Sequence, residues 1–148
     1  MYVAPVRYTD AVINTLFRTE LMPVQDYTQR YQKQFGKTVE LNLLKAELEE
    51  KNFRVNLTVI DTPGFGDYVN TRDCWTPLVD FVDDQYEAYM RQEQQPSRLN
   101  IRDQRVHACL YFVPPTGHTL RPLDIEVMMR LSPRVNLTPV VAKADTLT

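Results

Sequence analysis

In the stretch Phe53-Arg54-Val55-Asn56-Leu57-Thr58-Val59-Ile60-Asp61-Thr62-Pro63-Gly64-Phe65-Gly66-Asp67, apolar residues alternate with polar ones as far as Val59. Ile60 and a carboxylate follow, and then a Pro-Gly turn. This is the pattern of a β-strand that runs into a loop. In an open α/β sheet, a carboxylate at the C-terminal end of a strand faces the crevice where ligands bind. Gly64 lets a backbone N–H come close to an anion with no Cβ in the way. Asp61 is placed to hold Mg²⁺ through water, which would neutralise phosphate charge. A bare D-x-x-G is more simply an ordinary Asx or Pro-Gly turn. The full seven-residue run directly after such a strand favours the ligand site.

Outward from this strand the chain alternates in type. Upstream, Val39, Leu41 and Leu43 alternate, and the short polar link Glu49–Asn52 predicts a hairpin. Further upstream, Pro5 breaks a weak strand signal at Val3, Val6 and Tyr8. Asp10 is expected to cap a helix over Ala11–Arg18, and a polar connection runs from Thr19 to Lys37. Downstream, a helix is predicted from Asp73 or Thr76 to about Gln92. Its apolar side holds Leu78, Phe81, Val82, Tyr86 and Tyr89, and its acidic face is solvated. Val106–Val113 is a near-continuous apolar run, the mark of a strand covered on both faces. Pro122 opens a helix that Ser132-Pro133 ends. Leu137–Ala142 reads as a second buried strand, in which Pro139 is out of place. Strands alternating with helices predict an α/β fold with a largely parallel sheet.

Composition narrows the function classes. The 148 residues are 43% hydrophobic and 24% charged, enough for one domain with a buried core. A net charge of −2 and the lack of any Lys/Arg block argue against nucleic acid as a partner. The longest apolar run is too short to span a bilayer, and no secretory leader is recognisable. Two cysteines make no disulfide framework, which fits a reducing compartment. Four glycines, against about ten from average usage, leave little from which to build a phosphate-cradling loop.

A second signal is Ala142-Lys143-Ala144-Asp145, at the end of the last predicted strand. A carboxylate there can accept from both N1–H and the N2 amino group of guanine, a donor pair that adenine lacks, while the lysine stem covers the base. Alone, four letters are more simply a solvated loop. Their place at a later strand end, after Asp61–Asp67 in an alternating fold, raises the guanine reading.

These residues resemble the septins, filament-forming GTP-binding proteins with a P-loop NTPase core. The resemblance covers about Val12 to Thr148. It rests on Ile13-Asn14-Thr15-Leu16-Phe17, DTPGFGD at 61–67, CLYFVPPTGHTLRPLDI at 109–125 and VAKADTLT at 141–148, and it is strongest to fungal-type members. It implies a three-layer P-loop NTPase-like sandwich and a site for GTP or GDP with Mg²⁺. Asp61 and Gly64 would belong to switch II, and Lys143 and Asp145 would read guanine. Thr38 aligns with the switch I threonine of active members, which makes Thr38 and Gly64 the catalytic candidates and Thr38 and Asp61 the metal candidates. His118 matches an interface histidine. Implied partners are other septin subunits in hetero-oligomeric filaments, with membrane association of the full-length protein. The implied location is the cytoplasm, at the cytoskeleton and the division septum.

The departures from the family pattern matter as much. Septins carry a Walker A loop directly before the helix that begins this resemblance, but Pro5-Val6-Arg7-Tyr8-Thr9-Asp10-Ala11 holds neither glycine nor lysine. Gly36-Lys37-Thr38 imitates the loop's end, but Tyr31 stands where its first glycine belongs, and a strand rather than a helix follows. The chain is thus expected to be a partial septin-type G domain over residues 1–148, with a divergent P-loop region at 1–11 and the C-terminal part of the domain absent. Two functions stay open: a nucleotide-binding module that hydrolyses GTP slowly, and a structural subunit without turnover. A metal-dependent phosphatase built on Asp61 and Asp67 would leave the guanine motif a coincidence. His107 and Cys109, on one face of a strand, are two ligands without partners and are expected to be core residues. Trp75 is expected to pack.

Overall fold

The computed structural model describes residues 2–3, 9–21, 41–62, 73–96, 101–115 and 119–146. The chain runs β1 (Tyr2–Val3), α1 (Thr9–Phe17), β2 (Asn42–Glu50), β3 (Phe53–Asp61), α2 (Thr76–Glu93), β4 (Ala108–Val113), α3 (Pro122–Leu131) and β5 (Asn136–Val141). The alternation ending at Asp61 forms β3 as expected. Its partner β2 runs antiparallel, from Asn42 opposite Asp61 to Glu50 opposite Phe53, so only Lys51 and Asn52 make the turn. β4 pairs in parallel with β5 and, through Leu110 and Tyr111, with β1. β1 also touches β3 and so lies between the hairpin and the parallel strands.

The side-chain alternation of β4 divides the molecule into three layers. Cys109 and Tyr111 point to the face covered by α2 and α3. They pack there with Leu78, Val79 and Val82 of α2, Val127 and Leu131 of α3, and Ile60 of β3. Phe112 points to the opposite face, where it meets Ile13 of α1, Val59 of β3 and Ala142. One strand with both faces buried explains why Val106–Val113 carries no polar alternation. The fold is the expected three-layer α/β sandwich of P-loop NTPase type, with its parallel strands in the middle layer.

Two local expectations need correction, and a third lies mostly outside the described residues. α1 starts at Thr9, so Asp10 lies within the helix rather than before its first residue. The predicted connection Thr19–Lys37 falls mostly outside the described residues. β5 is not buried: Asn136, Thr138, Pro139 and Val141 are exposed. The backbone also accounts for Pro139. The Ala142 N–H donates to the Val113 carbonyl at 3.0 Å, so residues 138, 140 and 142 bond towards β4. Residues 137, 139 and 141 then turn their backbone groups outward. The missing N–H of Pro139 therefore costs the β4–β5 ladder nothing.

Candidate functional site

Three strand ends and α1 meet at one place. Val59 lies two residues before the end of β3, Phe112 one residue before the end of β4, and Ala142 directly after β5. These three and Ile13 of α1 are buried against one another. The cluster brings Asp61-Thr62, Val113-Pro114 and Lys143–Asp145 to the same end of the sheet, where α/β folds bind ligands. Asp61 is 5% exposed and Thr62 fully buried. Lys143 and Asp145 are exposed. Lys143 has φ 47°, a left-handed conformation that costs a residue with a Cβ about 1–2 kcal/mol. It turns the chain from β5 into the 3₁₀ turn Ala144–Thr146, which carries Asp145.

Of the residues singled out from sequence, Asp61, Lys143 and Asp145 thus share one end of the sheet. Thr38, Gly64 and His118 lie outside the described residues, as does Asp67. His107 and Cys109 part company. Cys109 is buried in the core, while His107 is exposed, with Nε2 3.3 Å from Oδ2 of Asp103. Among the described residues no group of three or more His, Cys, Asp or Glu side chains is placed to hold a metal ion. Trp75 packs against the α2–α3 core, with the Arg130 guanidinium 4.8 Å from its ring centroid.

One charged cluster was not foreseen. Asp124, 1% exposed, accepts from the Tyr111 hydroxyl at 2.8 Å and from Arg121 Nε and Nη2 at 2.9 and 2.8 Å. It also accepts from the Arg121 backbone N–H at 3.3 Å, so it caps the helix from its third position. Burial works against the charged carboxylate, but the Arg121 fork and the Tyr111 hydroxyl outweigh it and hold the Asp124 pKa below its ordinary value. Burial, and then the neighbouring carboxylate, push the Tyr111 pKa far up. A single carboxylate thereby ties β4, the start of α3 and the chain leading into it. The sequence signal was an acid three residues after an arginine and two after a proline at a helix start. It showed a first-turn acid but not the tyrosine thirteen residues upstream.

Known proteins bear on this arrangement. The septin family model matches residues 9–148. The chain is 60% identical over 136 residues to Cell division control protein 12 of Saccharomyces cerevisiae, an alignment covering 92% of this chain and 33% of the relative. It is 54% identical over 135 residues to Septin homolog spn4 of Schizosaccharomyces pombe, covering 91% and 36%. With human Septin-9 the identity is 51% over 138 residues, covering 93% and 23%. The crystal structure of Cdc11 from Saccharomyces cerevisiae aligns with a TM-score of 0.52 at 30% identity, over 70% of this chain and 44% of that one. The chain spans about a third or less of the length of these curated relatives. A family match from residue 9 to the last, on strands and helices stacked in three layers, means that the protein belongs to the septin family.

Proposed function

We propose that this chain binds a guanine nucleotide at the C-terminal ends of β3, β4 and β5, and that it serves as a subunit in assemblies with other septins, with slow or no turnover. The observation that carries this reading is the buried contact among Val59, Phe112, Ala142 and Ile13, because it draws Asp61 and Lys143–Asp145 to one end of the sheet. Asp145 would accept from N1–H and the N2 amino group of guanine, and the stem of Lys143 would lie along the base. The strained backbone at Lys143 supports a functional role, since such strain persists where the surroundings demand it. Asp61, at the end of β3 with its carboxylate buried, would orient water bound to Mg²⁺. The ion would supply charge neutralisation at the phosphates. Thr38 and Gly64 would position an attacking water, and His118 would face a neighbouring septin G domain. On this reading the protein works at the cytoskeleton and the division site, in keeping with the cell-division name of one relative.

A second reading, a structural septin subunit without nucleotide, is favoured by one specific feature. Residues 5–11, Pro-Val-Arg-Tyr-Thr-Asp-Ala, lack the glycines and lysine that hold phosphates. Losing two charge-assisted contacts at about 1.5–3 kcal/mol each weakens binding by roughly 10²–10⁴-fold. Equilibrium titration with a fluorescent GTP analogue, with and without Mg²⁺, separates the two. Weak, saturable and Mg²⁺-dependent binding is expected. No saturation at millimolar nucleotide would leave the nucleotide-free reading.

A further inference from the structure

β2 is nine residues long and, among the described residues, pairs only with β3, so its other edge offers backbone groups to a further strand. A two-residue turn closes on a hydrogen-bonded pair, here Glu50 and Phe53. The alternation of an antiparallel ladder then turns the backbone groups of Leu43, Lys45, Glu47 and Glu49 outward. No proline interrupts this edge, in contrast to Pro139 on β5. The two faces of the hairpin differ. Leu44, Ala46 and Leu48 stand opposite Val59, Leu57 and Val55 on an apolar face. Leu44, Leu57 and Val59 pack there with Ile13 of α1, while Val55 and Phe53 further along stay exposed. Lys45, Glu47 and Glu49 are exposed on the other face, where Glu49 pairs with Arg54 at 3.3 Å.

This edge is complementary to itself. We infer that β2 pairs antiparallel with β2 of a second copy of this chain, about a two-fold axis at Ala46. Joining apolar face to apolar face requires even positions opposite even ones and odd opposite odd. With the axis at Ala46, Lys45 of each copy faces Glu47 of the other, Leu44 faces Leu48, and Ala46 faces Ala46. Moving the axis to Lys45 or to Glu47 sets like charges directly opposite each other, which is destabilising. The favoured register also joins the outward backbone groups of Lys45 and Glu47. It lays the half-buried Leu48 of one copy beside the Leu44 that packs near α1 in the other. The contact uses none of Asp61, Lys143 and Asp145, so it stands apart from the nucleotide reading.

The test is sedimentation of the 148-residue chain over a range of concentrations, without nucleotide. A reversible dimer is expected. Glu47→Lys and Lys45→Glu each set like charges opposite each other at both pairs, and each should weaken the dimer about tenfold or more. The double variant Lys45→Glu with Glu47→Lys restores opposite charges and should dimerise as wild type does. Cysteine substitution checks the register. At the axis, Ala46→Cys forms a closely spaced, non-hydrogen-bonded pair with itself, within disulfide reach. Mild oxidation should therefore give a covalent dimer of Ala46→Cys, with wild type, which carries Cys74 and Cys109, as the background. Leu48→Cys, set apart from its own copy along the ribbon, should stay at that background. A wild-type chain that remains monomeric at high micromolar concentration overturns the inference. So does a double variant that associates no better than the single ones, or a Leu48→Cys protein that cross-links as readily as Ala46→Cys.

Discussion

The Asp124 carboxylate accepts from four donors, the Tyr111 hydroxyl of β4 and three N–H groups of Arg121, while almost wholly out of water. Removing one partner of a buried pair leaves the other uncompensated, at a cost of about 3–5 kcal/mol. Asp124→Ala is therefore expected to lower the urea midpoint sharply. Tyr111→Phe, which removes one hydrogen bond to a charged group, should cost about 1.5–3 kcal/mol. Arg121→Ala should cost at least as much as Asp124→Ala, because it leaves the buried Asp124 carboxylate without its counter-charge, whereas Asp124→Ala leaves a guanidinium that water already reaches. The pH dependence follows from the lowered pKa. The contribution of Asp124 is whole above its ordinary value of 3.8 and is lost as pH falls from there through the folded-state value. Urea melts of wild type and Asp124→Asn at several pH values test this. Their stability difference should narrow in acid, and a constant difference would contradict the ionised cluster.

At the scale of elements, β5 has one side paired with β4 and the other unpaired among the described residues. Outward backbone groups on such a side are a template for another strand, and a proline there withholds one donor. Pro139→Val should restore that donor and raise self-association in sedimentation or light scattering. Thr138→Val, whose N–H already faces β4, should not. Equal behaviour of the two variants would mean that strand propensity, rather than the missing N–H, controls the edge. The same elements show what could be read in advance. α2, α3 and β4 were legible because their burial follows from near neighbours: Leu78 and Val82 recur at helical spacing, and Cys109 to Val113 form a continuous apolar run. β5 was read as buried because Leu137, Val140 and Val141 are apolar. Its exposure depends on which strands flank it, and local pattern does not carry that. Asp124 went unrecognised as a hub for the same reason, since its partner Tyr111 comes from β4, thirteen residues upstream.

Across the whole molecule, the candidate site is assembled by the core rather than by any one loop. Asp61 and Asp145 are far apart in sequence, and both motifs were visible because each is local and each ends a strand. The buried contacts of Val59, Phe112 and Ala142 that place them at one sheet end were not visible, because they join three strands and α1. On the proposed function, this end recognises guanine through Asp145. Asn in that position offers one acceptor and two donors, so one guanine N–H would face another N–H. Xanthine carries a carbonyl in place of the N2 amino group and suits the asparagine amide. The comparison of bases at one site does not depend on the weak phosphate end, so it can be made on this chain at high nucleotide concentration. The measurement is a competition titration of GTP and xanthosine triphosphate against wild type and Asp145→Asn. Wild type is expected to prefer GTP, and Asp145→Asn to reverse the preference. An Asp145→Asn protein that still prefers GTP would contradict it.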